Sequence, residues 1–237
     1  MKNQYAGDEN DYLKYGLLRS LCTGLNGSVL VAWMLTPNDG GSDGLRRSYL
    51  EQPDRFRHLD TDLFDHLRGL FLSGEEPSVS LIECHGIVPK TTFFSRLVPD
   101  DGSSRRQWSD QLLQASRGSE LVFLDPDNGI EVASKPIGRK GSSKFILWSE
   151  LTDLWHLGKS LLIYQHFPRE ERDGFISRIR DNLEARLGAG VVHFFSCSHV
   201  LFLLVCQEEH AALLGEAARR ISEQWKSEVE VGLGSWG

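Results

Sequence analysis

Two apolar runs near the carboxyl end, residues 191–195 and 200–205, are separated by only four residues. A gap that short permits an antiparallel hairpin and forbids a parallel crossover, which needs about a dozen residues or more. Upstream the pattern differs. Apolar runs at 29–35, 79–82, 120–124 and 160–164 alternate with segments of helical periodicity. Such alternation predicts a parallel sheet covered by helices. The run at 29–35 is apolar throughout and flanked by turn formers, as expected of a strand buried on both faces. Residues 1–237 therefore read as a single α/β domain with a Rossmann-like sheet, mostly parallel, ending in a C-terminal antiparallel hairpin.

The helical segments support this reading. Residues 8–22 carry Leu13, Leu17, Leu18 and Leu21 at helical spacing, with Asp8 or Asn10 available as the cap. Further helices are expected over 60–72, 108–115, 149–157, 169–187 and 208–225. The largely polar stretch 45–77 reads as a small helical insertion, and residues 131–148 as a loop. That loop sets Lys135, Arg139, Lys140 and Lys144 among glycines and serines.

Composition narrows the class. A hydrophobic content of 40% in 237 residues is enough for a sizeable core. The net charge of −7 argues against a chain that binds nucleic acid over its whole surface, but leaves room for a local basic patch. Cys22, Cys84, Cys197 and Cys206 form no CxxC pair, so the spacing points to neither a disulfide framework nor a zinc site. No metal is expected. No apolar run approaches the roughly 20 residues needed to span a bilayer, and the first residues lack the apolar stretch of a signal peptide. The expectation is a cytoplasmic protein with no membrane partner.

In open sheets of this kind, ligands lie beyond the carboxyl ends of the strands. Four strand ends here carry polar residues and are expected to face one cleft. The first run leads into a glycine-rich loop, where Thr36, Asn38, Asp39 and Gly40 are candidates for cofactor contact. It is not a GxGxxG fingerprint. Glu83 ends the second run, and a carboxylate there can accept hydrogen bonds from both hydroxyls of a ribose. The third run ends in Asp125-Pro126-Asp127-Asn128-Gly129, with two carboxylates and an amide around a rigid proline. Turn chemistry alone favours such residues, but it does not require a buried strand to aim them at the ligand edge. Tyr164, Gln165, His166 and Phe167 end the fourth run, where rings and an amide can stack on and hydrogen-bond a planar base. Asp8, Asp11, Lys14 and Tyr15 lie close together on the first helical turns.

In their order, these motifs resemble the bacterial large-subunit ribosomal RNA adenine-N6 methyltransferases. Tyr5-Ala6-Gly7-Asp8-Glu9-Asn10-Asp11-Tyr12-Leu13-Lys14-Tyr15 is similar to that family's His-Ala-Gly-Asn-x-x-Asp-x-Leu-Lys-His segment. A glycine-rich loop, a helical insertion and Leu81-Ile82-Glu83-Cys84-His85 follow in the family's order. Asp125-Pro126-Asp127-Asn128 stands where the family has its catalytic Asp-Pro-Pro-Tyr. The resemblance covers roughly residues 5–165. It implies a class I methyltransferase sheet, S-adenosylmethionine as cofactor, and transfer to a nucleobase amino group in RNA or DNA. It further implies that Asp125 and the Pro126 carbonyl hold the amino group, Glu83 the ribose, and Lys14 the vicinity of cofactor or substrate. The family's aromatic stacks on the flipped base; here that position is Asn128, with Phe167 or Tyr164 as candidate replacements. Lys140 and Lys144 are candidates for phosphate contact. Two other readings stay open. One is a metal-dependent nuclease or phosphodiesterase using Asp125, Asp127, Glu131 and Lys135. The other is a non-catalytic binding protein of the same fold.

Overall fold

The computed structural model describes residues 1–40, 46–188 and 190–234. In chain order the helices are α1 (Glu9–Gly24), α2 (Pro53–Phe56), α3 (Thr61–Leu72), α4 (Val79–Cys84), α5 (Gly102–Ser116), α6 (Trp148–His156), α7 (Arg172–Leu187) and α8 (Glu208–Gln224). The strands are β1 (Ser28–Ala32), β2 (Thr91–Phe94), β3 (Ser119–Leu124), β4 (Gly129–Ile130), β5 (Phe145–Ile146), β6 (Ser160–His166), β7 (Val191–Ser196), β8 (Val200–Cys206) and β9 (Glu230–Gly232). Seven strands form one sheet in the order β2-β1-β3-β6-β8-β7-β9, while β4 and β5 pair separately. β2, β1, β3 and β6 are mutually parallel. β8 lies antiparallel between β6 and β7, and β9 pairs antiparallel with β7. This is an α/β protein with a mostly parallel central sheet plus antiparallel strands, compatible with a Rossmann-like fold.

Each strand divides its side chains between two cores. Val29, Val31, Leu121, Phe123 and Leu162 join the side chains of α1, α3 and α8 on one face. Leu30, Ala32, Val122, Leu124 and Ile163 join those of α5, α6 and α7 on the other. That period-two division explains why the strands read as unbroken apolar runs: both faces are covered. The segment linking β1 to β2 packs into the first core. Tyr12 stacks on Tyr49 at 5.2 Å and meets the edges of Phe56 and Phe64.

The expected strand over 79–82 is instead the helix α4, with Ser78 accepting a hydrogen bond from the Ser80 N–H as its cap. A four-residue apolar run fits a buried helical turn as well as a strand. The strand beside β1 is β2, which lies within the stretch 84–107. It continues past its end through a bridge between Leu35 and Leu97. The expected hairpin is formed by β7 and β8; three-residue β9 gave no pattern long enough to read.

Between α5 and α6 lies a buried ion pair. Arg105 donates to both carboxylate oxygens of Glu150 at 2.6 and 2.7 Å and to the Phe145 carbonyl at 2.8 Å. Glu150 also accepts from the Leu147 N–H, closing the first turn of α6. Both side chains are nearly inaccessible, at 2% and 3%. Removing one partner strands the other charge in the core. Arg105→Ala is therefore expected to lower stability by about 3–5 kcal/mol, read as a shift of the denaturant midpoint with an unchanged slope.

Candidate active site

The chain places β2 and then β3 on opposite sides of β1, so strand order reverses between β1 and β3. At that point the carboxyl ends open onto a cavity of about 940 Å³. β3 delivers Asp125, Pro126, Asp127 and Asn128 to its wall, and β6 delivers Tyr164 and His166. The start of α1 delivers Asp8, Asp11 and Lys14. Gly129 fixes the turn behind the wall. Its φ is +122°, and a β-carbon there would lie 2.1 Å from Gln165 Oε1. That oxygen accepts from the Ile130 N–H, while Gln165 Nε2 donates to the carbonyls of Asn128 and His166.

The floor is a buried charge network. Lys14 Nζ lies 2.5 Å from Asp11 Oδ1 and 2.8 Å from Asp125 Oδ2. The other Asp11 oxygen accepts from the Tyr15 hydroxyl at 2.7 Å and the Gly7 N–H at 3.1 Å. The Met1 amine lies between the ends of β1 and β3, donating to the carbonyls of Met34 and Asp125. It is 2.5 Å from Asp127 Oδ1, and Thr36 Oγ1 donates to Asp127 Oδ2 at 2.6 Å. Met34 itself holds φ at +47°, an uncommon conformation for a residue with a side chain, where the chain leaves β1. Lys2 pairs with Asp39 and reaches the Tyr5 hydroxyl.

Environment separates the carboxylates. Burial pushes Asp125 above the ordinary range against the pull of Lys14 and the Met1 amine. Burial acts the same way on Asp127, but the adjacent Met1 amine and Thr36 outweigh it and leave its value lowered. Burial would lower Lys14, yet Asp11 and Asp125 raise it, so it stays a cation. The carboxylates of Asp8, Asp11, Asp125 and Asp127 lie around two close cations, Lys14 and the Met1 amine, while the buried Lys2 is paired with Asp39. The excess negative charge falls on Asp8. Burial and the neighbouring Asp11 carry its carboxyl up to about 7, despite the Asp11 N–H it accepts as the cap of α1.

The structure sorts the residues expected from sequence. Asp125, Pro126, Asp127, Asn128, Lys14, Asp39, Lys144, Tyr164, His166 and Phe167 line the cavity. Thr36 stands behind Asp127 as its hydrogen-bond donor. Asn38 and Gly40 are exposed and outside the wall, and residues 41–44 of the glycine-rich loop, Asp43 included, lie outside the described residues. Glu83 is a correction. It comes from a helix, not a strand end, and its Oε1 is held by Trp33 Nε1 and Ser95 Oγ. Trp33 follows β1 and Ser95 follows β2, so Glu83 stands at the carboxyl edge of the sheet but outside the cavity wall. Gln165 braces the 128–130 turn rather than facing the cavity, and Lys140 lies off the wall, its carbonyl accepting from Lys135. The set Asp125, Asp127, Glu131 and Lys135 does not converge: Glu131 accepts from the Trp148 N–H at the start of α6. Among the described residues no three or more His, Cys, Asp or Glu side chains form a metal-binding group, and no helix is long and apolar enough to cross a membrane.

Sequence reasoning missed Met1, Lys2, Arg46, Arg172, Ser198 and His199 in the wall. No local signal marks an N-terminal residue for burial. Arg172 could have been suspected from its place at the first turn of α7, five residues after Phe167, over whose ring it lies at 5.0 Å. No family model and no curated protein matches this sequence.

The Asp8 carboxyl yields a pH prediction. Unfolded, it ionises near its ordinary 3.8; folded, it holds its proton to about 7. The folded chain then binds more protons across that window, so the Asp8 contribution to stability falls as pH rises from about 4 to 7. Asp8→Asn keeps the capping oxygen and removes the titration. Denaturation midpoints of this variant are expected to decline less than wild type between those pH values.

Proposed function

We propose that the protein is a methyltransferase-fold enzyme that takes a nucleobase amino group of RNA or DNA into this cleft, with S-adenosylmethionine as methyl donor. The observation that carries the reading is the strand order β2-β1-β3-β6-β8-β7, with antiparallel β8 inserted between parallel neighbours. Class I methyltransferase sheets share that insertion. The Asp-Pro turn stands at the strand end where such enzymes hold the acceptor.

The amino-acid end of the cofactor carries an α-ammonium, and the switch-point crevice offers carbonyl and carboxylate oxygens suited to one. Met1's ammonium stands in for it there, held by the carbonyls of Met34 and Asp125 and paired with Asp127. These acceptors fit the group, which would take the place of Met1. Glu83 Oε2, which forms no hydrogen bond among the described residues, is assigned to the ribose hydroxyls. When bound, the cofactor supplies an electrophilic methyl group.

The chain's own residues orient the acceptor. Lys14 holds Asp125 Oδ2, while Oδ1 forms no hydrogen bond among the described residues and is free to accept an amino N–H. The Pro126 carbonyl, to which no described residue donates, takes the second N–H. Positioning is the main requirement of such a transfer, and the Asp125 carboxylate stabilises positive charge as it develops on the nitrogen. Tyr164 and Phe167 supply rings at the wall, and Lys144 and Arg172 supply charge for phosphates.

Calorimetric titration with S-adenosylmethionine and its demethylated product tests this. Binding is expected, with Glu83→Ala and Asp127→Asn each weakening it about tenfold or more, as loss of hydrogen bonds to charged groups does. No binding of either compound would overturn the cofactor assignment. Binding without methyl transfer to any RNA or DNA would favour the non-catalytic role.

A further inference from the structure

Most polar groups in the cavity wall are already committed. Lys14 holds Asp11 and Asp125, the Met1 amine holds Asp127, Lys2 holds Asp39, and Glu170 accepts from Arg178. Asn128 differs. Its backbone is fixed on both sides: its N–H donates to the Lys144 carbonyl at 2.9 Å, and its carbonyl accepts from the His166 N–H at 3.1 Å and Gln165 Nε2 at 3.2 Å. The residue lines the cavity, and its side-chain amide forms no hydrogen bond among the described residues. A rigid stem thus carries an amide with two donors and one acceptor unspent. Three residues earlier, Asp125 offers only an acceptor, its unpartnered Oδ1.

An amide alone can pair with either polarity of a base edge by turning over. A carboxylate cannot, because it accepts only. Together the two groups therefore have one sense. We infer that Asn128 is a specificity-determining residue that donates from Nδ2 to the ring nitrogen beside the amino group accepted by Asp125, so that the site selects 6-aminopurine and 4-aminopyrimidine bases, adenine and cytosine, over uracil and hypoxanthine. This rests on the nucleobase reading above and adds to it the residue that reads the edge. Uracil and hypoxanthine present a carbonyl where the amino group stands, and that oxygen would face the Asp125 carboxylate. The Lys144 ammonium, which forms no ion pair among the described residues, belongs to the residue whose carbonyl holds Asn128 and lies on the same wall. It supplies sequence-blind attraction to phosphate.

Fluorescence anisotropy with labelled single-stranded RNA homo-oligomers of adenine, cytosine and uracil, and one of inosine, tests the inference without any cofactor. Wild type is expected to favour adenine and cytosine over uracil and inosine by roughly tenfold, the scale of one good base-edge contact. Asn128→Asp, which replaces the donor by a second acceptor, is expected to erase the preference, and Asn128→Ala to reduce it. Lys144→Gln is expected to weaken all four equally and to flatten the salt dependence. Equal wild-type affinity for all four, or a preference that survives Asn128→Asp, overturns the inference and leaves the nucleic-acid reading standing. Failure to bind any oligomer overturns both, while the calorimetric test of the cofactor stays independent. Circular dichroism and denaturation midpoints like those of wild type ensure that the variants are compared as folded proteins.

Discussion

Lys14 is a buried cation in the floor of the cavity, and the geometry of the cleft depends on it. It ties helix α1 to the end of β3 by holding Asp11 and Asp125 together. Taking an ion out of water costs several kcal/mol, and only close opposite charges and hydrogen bonds offset that cost. Here the compensation is dense: Asp11 is also held by the Tyr15 hydroxyl and the Gly7 backbone. Without Lys14, Asp11 and Asp125 would face each other as uncompensated anions beneath the cavity. With it, Asp125 has one oxygen fixed and one to offer.

The sheet supplies the frame on which that pair is hung. Parallel strands bring β1, β3 and β6 to the same edge, and the reversal of order between β1 and β3 opens the space above them. Helices on both faces bury the strands and keep the edge rigid. The Arg105–Glu150 pair locks α5 to α6 on one face, and the Tyr12, Tyr49, Phe56 and Phe64 rings lock the β1–β2 connection to α1 on the other. The cleft is thus braced from two sides by different physics, ionic on one and aromatic on the other.

Long, locally consistent signals were legible in the sequence. The apolar runs of β1, β3, β6, β7 and β8 and the helical spacing of α1, α3, α7 and α8 announce themselves because their burial is periodic. So did the Asp125–Asn128 turn, whose polarity contrasts with the strand before it. Short elements were not. Residues 79–82 have too few positions to separate period two from period 3.6, and β2 and β9 are short strands whose pairing partners are remote in sequence. In the site, the sequence pointed to Glu83, Gln165 and Lys140 because of their positions beside strands or in a basic loop. Only the tertiary arrangement reveals that Gln165 spends its amide on Ile130 and that Glu83 comes from a helix. Met1 was invisible for the same reason: its role is set by what surrounds it, not by its neighbours in the chain.

The packing of α1 against α8 has a consequence for how the molecule is made. α1 carries Asp11 and Lys14, and it precedes every strand of the sheet. Its helical partner, Glu208–Gln224, is among the last of the described residues to follow. Trp225, just beyond α8, touches Tyr12 at 5.2 Å between ring centroids. A nascent chain holding every strand through β8 still lacks the surface that covers α1. The apolar face of α1 therefore reaches its final, water-excluded state only after α8 has been synthesised and has packed on it.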